Sequence, residues 1–142
     1  MSGEEPGRVS PGGKFSRRMS KLARADTAPE LALRRELHRR ELRYRVQKHV
    51  PGNRRRRIDV AFTRARVAVF VDGCFWHGCP EHHTQPITNR EWWEWKVQRN
   101  RDRDANTNEL LTRHGWTVIR VWEHEDPAEA ADRIELLVRR PD

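Results

Sequence analysis

The centre of the sequence is residues 57–72, which read RIDVAFTRARVAVFVD. Two apolar runs, RIDVAF (57–62) and VAVFV (67–71), flank a short polar stretch, and this pattern is typical of a β-hairpin. The second run is apolar at every position rather than at alternate positions, which is typical of a strand that is covered on both faces. We therefore expect this strand to lie in the middle of a sheet.

A helix is predicted upstream of the hairpin, at about residues 28–41. Thr27 is a candidate N-cap, Pro29 suits the first helical turn, and Leu33 and Leu37 share one face. Between this helix and the hairpin, the sequence predicts a turn at Pro51-Gly52, followed by four consecutive arginines at 54–57.

A second long helix is predicted downstream, at about residues 91–114, and it ends before Gly115. Its middle, QRNRDRDANTN, is unusually polar for a packed helix. A third strand, WTVIRVW (116–122), and a last helix beginning after Pro127 complete the order. The sequence therefore predicts a mixed α/β fold in which a helical crossover leads to the third strand.

Composition indicates one small folded domain with a polyanionic partner. The chain has 142 residues and a formal net charge of +8, and 25 of its 29 basic residues are arginine. Aliphatic content is close to the level at which disorder becomes plausible, but six tryptophans argue for a folded core. We expect a flexible tail at residues 1–18, a single domain at 19–142, and nucleic acid as partner before an acidic membrane surface.

Several classes of protein are excluded by the same survey. No apolar run approaches 18 residues, so a transmembrane helix is not expected, and the N-terminal stretch has no apolar segment typical of a secretory signal. Two cysteines do not make a disulfide framework. We therefore expect a cytoplasmic protein in which the cysteines are either metal ligands or ordinary buried thiols.

A possible zinc site surrounds these cysteines. Cys74, Cys79 and His82 have the spacing C-x4-C-x2-H, and His124 follows the third predicted strand. Two thiolates and two imidazoles match the tetrahedral ligand set of Zn²⁺, and a structural metal would help a core this small. The spacing is not that of a standard zinc finger, so buried thiols and surface histidines remain the alternative, and His83 competes with His82 for the third position.

A second group of candidates could bind Mg²⁺ and cleave phosphodiesters. Asp59 lies inside a strand and Asp72 ends the next one, where carboxylates beside other acids can hold Mg²⁺ together with water and phosphate. His77 could activate water as a general base. The alternatives are a salt bridge from Asp59 to the preceding arginines, a purely positional role for His77, and a capping box between Thr27 and Glu30.

Aromatic residues accompany the basic surface. Phe75 and Trp76 lie between the two cysteines, and Trp92, Trp93 and Trp95 crowd the start of the long helix. Apolar side chains that wedge between base steps are used by proteins that unstack DNA, whereas core packing is the alternative for the helical tryptophans. We expect Phe75 and Trp76 to be exposed for a ligand.

Taken together, these motifs resemble those of the very-short-patch repair (Vsr) DNA mismatch endonucleases, over about residues 19–123. The blocks that carry the resemblance are GCFWHG (73–78), T-x-x-E-W-W (88–93), N-x-x-R-D (100–104) and G-W-x-V-x-x-V-W-E (115–123). The resemblance implies a restriction-endonuclease-like mixed sheet flanked by helices, with a structural zinc loop. It also implies a monomeric Mg²⁺-dependent enzyme that nicks one strand of double-stranded DNA 5′ to the T of a T:G mismatch, with mismatch-repair accessory proteins as further candidate partners.

The resemblance also assigns roles to individual residues. It implies that Asp59 binds Mg²⁺, that His77 is the catalytic histidine, and that Glu30 belongs to the catalytic region. The DNA wedges it implies are Phe75, Trp76 and Trp93, and the zinc ligands are Cys74, Cys79, His82 and His124. Asp72 stands where well-known members carry a second histidine, so it could instead add a carboxylate to the catalytic site.

Two other functions are compatible with the same residues. One is a zinc-stabilised DNA-binding module without catalysis. The other is a restriction-type nuclease that has no preference for mismatches.

Overall fold

The computed structural model describes residues 27–73 and 89–140. The predicted tail at 1–18 lies outside these ranges. In chain order the elements are α1 (Ala28–Arg39), β1 (Arg45–Val50), β2 (Asn53–Phe62), β3 (Val67–Asp72), α2 (Arg90–Arg113), β4 (Thr117–Trp122) and α3 (Pro127–Val138). None of the helices in the described ranges is both long and apolar enough to span a bilayer.

The four strands form one mixed sheet in the order β1-β2-β3-β4. The first two neighbouring pairs are antiparallel and β3 pairs with β4 in parallel, so α2 is part of the crossover between them. The expected hairpin, the central position of its apolar second strand and the mixed α/β class are therefore confirmed. The zinc loop expected between β3 and α2 lies outside the described residues.

One strand was not predicted. β1, with the sequence RVQKHV, pairs along β2, and β2 itself starts at Asn53 rather than at residue 57, so the arginine run is part of a strand. β1 carries two basic residues and a histidine and shows no apolar alternation, because it is an edge strand with a largely solvent-facing side. The turn at Pro51-Gly52 is confirmed, and Gly52 takes the left-handed φ of 87° there.

The two faces of the sheet are covered by different helices. Helices α1 and α3 pack against each other on one face and enclose the larger apolar cluster. Its buried members are Leu33, Leu37, Leu42, Val60, Phe62, Val67, Val69, Val121, Ala130, Ala131 and Ile134. Helix α2 covers the other face, where the buried cluster is smaller and comprises Val50, Ile58, Ala61, Ala68, Phe70 and Leu111.

Helices α1 and α2 end in the same hydrogen-bonding pattern but with different residues. At the end of α1, the N–H of Leu42 donates to the carbonyl of Leu37, and Glu41 lies between with a φ of 62°. At the end of α2, Gly115 takes the equivalent left-handed position with a φ of 82°, as its sequence position predicts. The glycine adopts this conformation without steric cost, whereas Glu41 does not.

Candidate active site where β2 and β3 separate

The candidate site begins where the ladder between β2 and β3 stops. The two strands pair from Phe62 and Val67 to Val60 and Val69, whereas β3 remains paired with β4 as far as Asp72. Beyond the last β2–β3 pair, the Asp59 carboxylate accepts a hydrogen bond from the Val71 N–H at 2.9 Å. A side chain therefore satisfies a backbone donor that the separated strand cannot, which fixes the position of the carboxylate.

Glu30 meets Asp59 from the first turn of α1. It is 3% exposed, its carboxylate accepts a 2.7 Å hydrogen bond from Arg34, and it is hydrogen-bonded to the Asp59 side chain. Thr27 makes no side-chain capping hydrogen bond, so its half of the expected capping box does not form. Pro29 does lie in the first turn of α1, as predicted.

The carboxyl group of Asp59 is hard to ionise. Burial raises its pKa to about 7, and the hydrogen bond from the Val71 N–H opposes that rise. The negative charge of Glu30, the hydrogen bond to it and the charge of Asp72 raise the pKa further. Near neutral pH the Asp59 carboxyl group is therefore only partly ionised, and a nearby positive charge would favour its ionised form.

Asp72 is held from the opposite side by Arg120. Asp72 is 7% exposed, and the Arg120 Nη1 lies 3.0 Å and 3.2 Å from its two carboxylate oxygens. The guanidinium also lies over the ring of Phe70, 4.3 Å from its centroid. Since Phe70 and Arg120 are cross-strand partners on β3 and β4, the pairing of the two strands places the Arg120 guanidinium beside the Asp72 carboxylate.

Arg120 is in turn fixed by α2. Its Nε donates to the Asn108 side chain at 2.9 Å, and its guanidinium reaches the carboxylate and the backbone carbonyl of Asp104, each at 3.4 Å. Arg56 on β2 makes a similar contact with the same stretch of the helix, donating to Asn106 at 2.6 Å and to Thr107 at 2.9 Å. The polar middle of α2 is therefore an interface for two strand arginines.

The charges of the site are unevenly matched. Glu30 and Asp72 each have an arginine partner, whereas Asp59 has none among the described residues. The alternative of a salt bridge from Asp59 to the arginines at 54–57 is therefore excluded within that part of the chain. Carboxylate oxygens are the ligands that Mg²⁺ prefers, and a divalent cation would offset the cost of ionising Asp59. Residues 27–73 and 89–140 contain no group of three histidine, cysteine, aspartate or glutamate side chains that could hold a metal alone. A cation at Asp59 would thus complete its shell with water and phosphate.

A distortion in the edge strand lies beside the same carboxylate. Gln47 has a left-handed φ of 53°, and the pairs on either side of it, Val46 with Val60 and Lys48 with Ile58, place it opposite Asp59 in the register. Its side-chain amide nitrogen is buried and has no acceptor within the described part of the chain. The β1–β2 register is the same on both sides of this position, and its shift comes only between His49 and Val50, so the distortion at Gln47 is local.

The structure thus places Glu30 in contact with Asp59, and Asp72 near enough for its charge to raise the Asp59 pKa, while other predicted residues lie elsewhere. Trp93 is 4% exposed and packs edge-on against Trp92, with ring centroids 4.6 Å apart. His124 lies in the turn between β4 and α3. The remaining predicted site residues are outside the described ranges: Cys74, Phe75, Trp76, His77, Cys79, His82 and the rival His83.

Sequence reasoning missed the residues that support the site from α2 and β4. Arg120 is the single charged residue in the apolar run WTVIRVW, and Asp104 and Asn108 belong to the polar stretch of α2. A lone arginine in a central strand requires an acidic or polar partner. The lone arginine in β4 and the polar stretch of α2 together could have predicted the contact between these two elements.

Comparison with known proteins shows the family to which the chain belongs. A family model described as DNA mismatch endonuclease Vsr matches residues 11–84, which is just over half of the chain. The chain is 45% identical to the type II nicking enzyme V.NaeI of Lentzea aerocolonigenes over 117 residues, which cover 81% of this chain and 70% of the relative.

Two further relatives extend the comparison. The type II nicking enzyme V.NmeAIP of Neisseria meningitidis serogroup A is 33% identical over 126 residues, covering 85% of this chain and 86% of the relative. The DNA mismatch endonuclease Vsr of Escherichia coli K12 is 36% identical over 113 residues, which cover 76% of this chain and 68% of the relative. The chain therefore belongs to the Vsr family of DNA endonucleases.

Proposed function

We infer that the chain nicks one strand of duplex DNA 5′ to the T of a T:G mismatch by Mg²⁺-dependent hydrolysis. The observation that carries this inference is the group of three carboxylates at the separated strands, of which only Asp59 lacks an arginine partner among the described residues. Membership of the Vsr family and the excess of arginine support DNA as the substrate.

Each described residue of the group has a distinct proposed role. Asp59 binds the cation through its carboxylate, and the backbone hydrogen bond from Val71 keeps it in place. Glu30 is hydrogen-bonded to Asp59 and, itself fixed by Arg34, positions it from the side of α1. Arg120 neutralises Asp72 and so limits the negative charge that approaching phosphates meet.

The chemistry needs two further contributions. Bound Mg²⁺ would supply Lewis-acid polarisation of the scissile phosphate. We assign His77 as the general base that takes a proton from water, so that the water oxygen bonds to phosphorus while the bond to the leaving sugar oxygen breaks.

The remaining predictions from the sequence complete the proposal. Phe75, Trp76 and Trp93 would open the mismatched step, which requires Trp93 to leave its packed position or to act through the residues around it. A structural Zn²⁺ would be bound by Cys74, Cys79, His82 and His124. Metal analysis of the purified protein tests the zinc site directly, since one equivalent of zinc is expected and Cys79→Ser should release it.

A nicking assay tests the catalytic proposal. Labelled duplexes that differ only in carrying a T:G mismatch or a matched T:A pair are incubated with the protein, with Mg²⁺ or with EDTA. We expect a single nick in the T strand of the mismatched duplex, with Mg²⁺ only, and none from Asp59→Asn or His77→Ala. Thr63→Ala in the β2–β3 turn serves as the control variant and should nick as the wild type does.

The other outcomes identify the alternatives. Equal nicking of the matched duplex at a fixed sequence would indicate a nuclease without mismatch preference. Tight DNA binding with no nick under any metal condition would instead indicate a non-catalytic DNA-binding module.

A further inference from the structure

The β1–β2 hairpin carries a concentration of positive charge that the catalytic proposal does not use. From residue 42 to residue 58 the sequence contains seven arginines and lysines and no acidic residue. Arg54, Arg55 and Arg57 are exposed on β2, and within the described part of the chain none of them makes an ion pair. Unpaired like charges at this density repel one another and lower the stability of the free protein.

The strand separates these arginines by face. Arg56 points towards α2, as its hydrogen bonds to Asn106 and Thr107 show. Because successive side chains of a strand alternate between faces, Arg55 and Arg57 lie on the other face, the one that α1 covers further along the sheet. Asp59 meets Glu30 of α1 on that side.

The same face therefore presents two cations and then the catalytic carboxylate in a row. With a rise of about 3.3 Å per residue, Arg57 lies about 7 Å from Asp59 along β2. Arg55 lies at most about 13 Å away, in the irregular part of β2 where the register with β1 shifts between His49 and Val50. His49 is the cross-strand partner of Arg57, so β1 supplies no acidic neighbour to this row. A polyanionic chain that reached Asp59 along β2 would pass both arginines.

We propose that Arg55 and Arg57 bind backbone phosphates of the DNA strand that is cleaved, on one side of the scissile phosphate. This rests on the proposed function for the identity of the substrate, and it adds the direction from which the strand enters the site. Arg54, on the opposite face of β2, is not part of this contact. Protection of the exposed edge of β1 from aggregation is the competing explanation of the charge.

The test is the salt dependence of DNA binding by Arg55→Gln/Arg57→Gln. Affinity for a T:G duplex is measured by fluorescence anisotropy without Mg²⁺ over a range of KCl concentrations. Loss of two phosphate contacts should make the slope of log K against log [salt] shallower by about 1.8, and raise Kd about tenfold or more near 0.1 M salt. The thermal midpoint and gel-filtration profile are measured alongside.

A matched control is available at the other end of β2. Arg64 and Arg66 are also exposed, also two residues apart, and lie in the turn between β2 and β3. Arg64→Gln/Arg66→Gln removes the same charge, and its salt slope should stay within error of the wild type. An equal loss in both double variants, or no loss in Arg55→Gln/Arg57→Gln, would overturn the proposal; aggregation of that variant with an unchanged slope would favour edge protection.

Nicking assays on the same variants distinguish failure of this proposal from failure of the catalytic proposal. Arg55→Gln/Arg57→Gln should nick at the wild-type rate once low salt and excess protein saturate the DNA, whereas Asp59→Asn should keep the wild-type salt slope and fail to nick. If the wild type nicks no duplex but the slope falls only in Arg55→Gln/Arg57→Gln, the catalytic proposal fails and the phosphate contact stands. A wild-type protein that does not bind duplex DNA would overturn both.

Discussion

The two faces of the sheet are held in different ways. Beneath α1 and α3 the contacts are between aliphatic side chains, and residues such as Leu37 and Ile134 are fully buried. Beneath α2 the apolar cluster is smaller, and two arginines from the sheet bind polar groups of the helix. The first face buries more apolar area, whereas the second fixes the direction of particular side chains.

We therefore expect the apolar face to contribute most to stability and the polar face to position side chains of the candidate site. The candidate site lies where the two faces meet, since Glu30 belongs to a helix of the apolar face and the Arg120 partner of Asp72 is fixed from the polar one. Mutations on the two faces should therefore have different consequences, and the expected effects are given from the largest to the smallest.

Asp59→Asn should abolish activity while leaving the fold intact. The amide cannot supply the anionic ligand, so we expect the single-turnover nicking rate to fall about a thousandfold or more. Circular dichroism and the salt slope of DNA binding serve as controls. A variant that nicks within tenfold of the wild type would remove Asp59 from the catalytic site.

Ile134→Ala should test the apolar face. Ile134 is fully buried in the larger cluster, so truncation should lower the free energy of unfolding by about 2–5 kcal/mol, measured by urea denaturation. Leu136→Ala is the control on the same helix, because Leu136 is 76% exposed and its loss should cost less than about 0.5 kcal/mol. Similar costs for the two would contradict the assignment of this face as the main core.

Arg120→Gln should test the polar face. Removing the cation leaves Asp72 buried without its partner, so we expect a loss of about 1–3 kcal/mol in unfolding free energy and a lower nicking rate. Asp72→Asn/Arg120→Gln should recover part of the stability in a double-mutant cycle. The exposed pair between Arg113 and Glu109 on α2 is the comparison, and Arg113→Gln should cost about 0.5 kcal/mol or less.

The pH dependence of nicking should follow the ionisation of Asp59. Because its pKa is about 7, the nicking rate at low Mg²⁺ should rise about tenfold between roughly pH 6 and 8 and level off above that range. Raising Mg²⁺ should move the midpoint to lower pH, because the cation competes with the proton. A flat profile from pH 6 to 8 would contradict a raised pKa at this carboxylate.

The same shift makes a prediction about the stability of the metal-free protein. The pKa of Asp59 is higher in the folded state than its ordinary value of 3.8, so the folded state binds more protons between these values. Its contribution to stability is therefore present below about pH 4 and is lost as the pH rises through about 7. Asp59→Asn should remove the part of the pH-dependent loss of stability that comes from ionisation of Asp59, as measured by urea denaturation between about pH 4 and pH 7.

Glu41→Gly should give the smallest change. Glu41 holds a left-handed backbone at the end of α1, where glycine is favoured, so the variant should gain up to about 1 kcal/mol in unfolding free energy. Glu41→Gln keeps the backbone strain and removes the charge, and it should show no gain. A gain in both variants would assign the effect to charge instead.

Much of the fold could be predicted from the sequence because its central elements are patterned. The apolar run of β3, the turn at Pro51-Gly52 and the glycine after α2 each have a direct local cause. β1 was missed because its charged side chains carry no strand pattern, and its structure depends on pairing with β2. The Trp92 and Trp93 rings are buried, whereas Trp116 is only partly buried against the smaller apolar cluster.

The candidate site was predictable in its acids but not in its partners. Glu30, Asp59 and Asp72 could be identified from strand position and from the family motifs. The Arg120 contact to Asp72 joins residues 48 positions apart, and only the parallel register of β3 and β4 brings them together. The raised pKa of Asp59 likewise depends on burial and on Glu30, which no local pattern reveals.

The parallel pairing of β3 with β4 also bears on the order of folding. β1, β2 and β3 form a meander with short connections, whereas β4 joins only after the chain from residue 73 to residue 116 has closed a long loop. Closing that loop costs chain entropy, so we expect the meander to form first and β4 to dock late. Arg120 arrives with β4, and an incompletely folded chain would present Asp59 and Asp72 without it. The uncompensated negative charge would weaken the binding of phosphates near these carboxylates, so we expect that part of the surface to bind DNA only after β4 has docked.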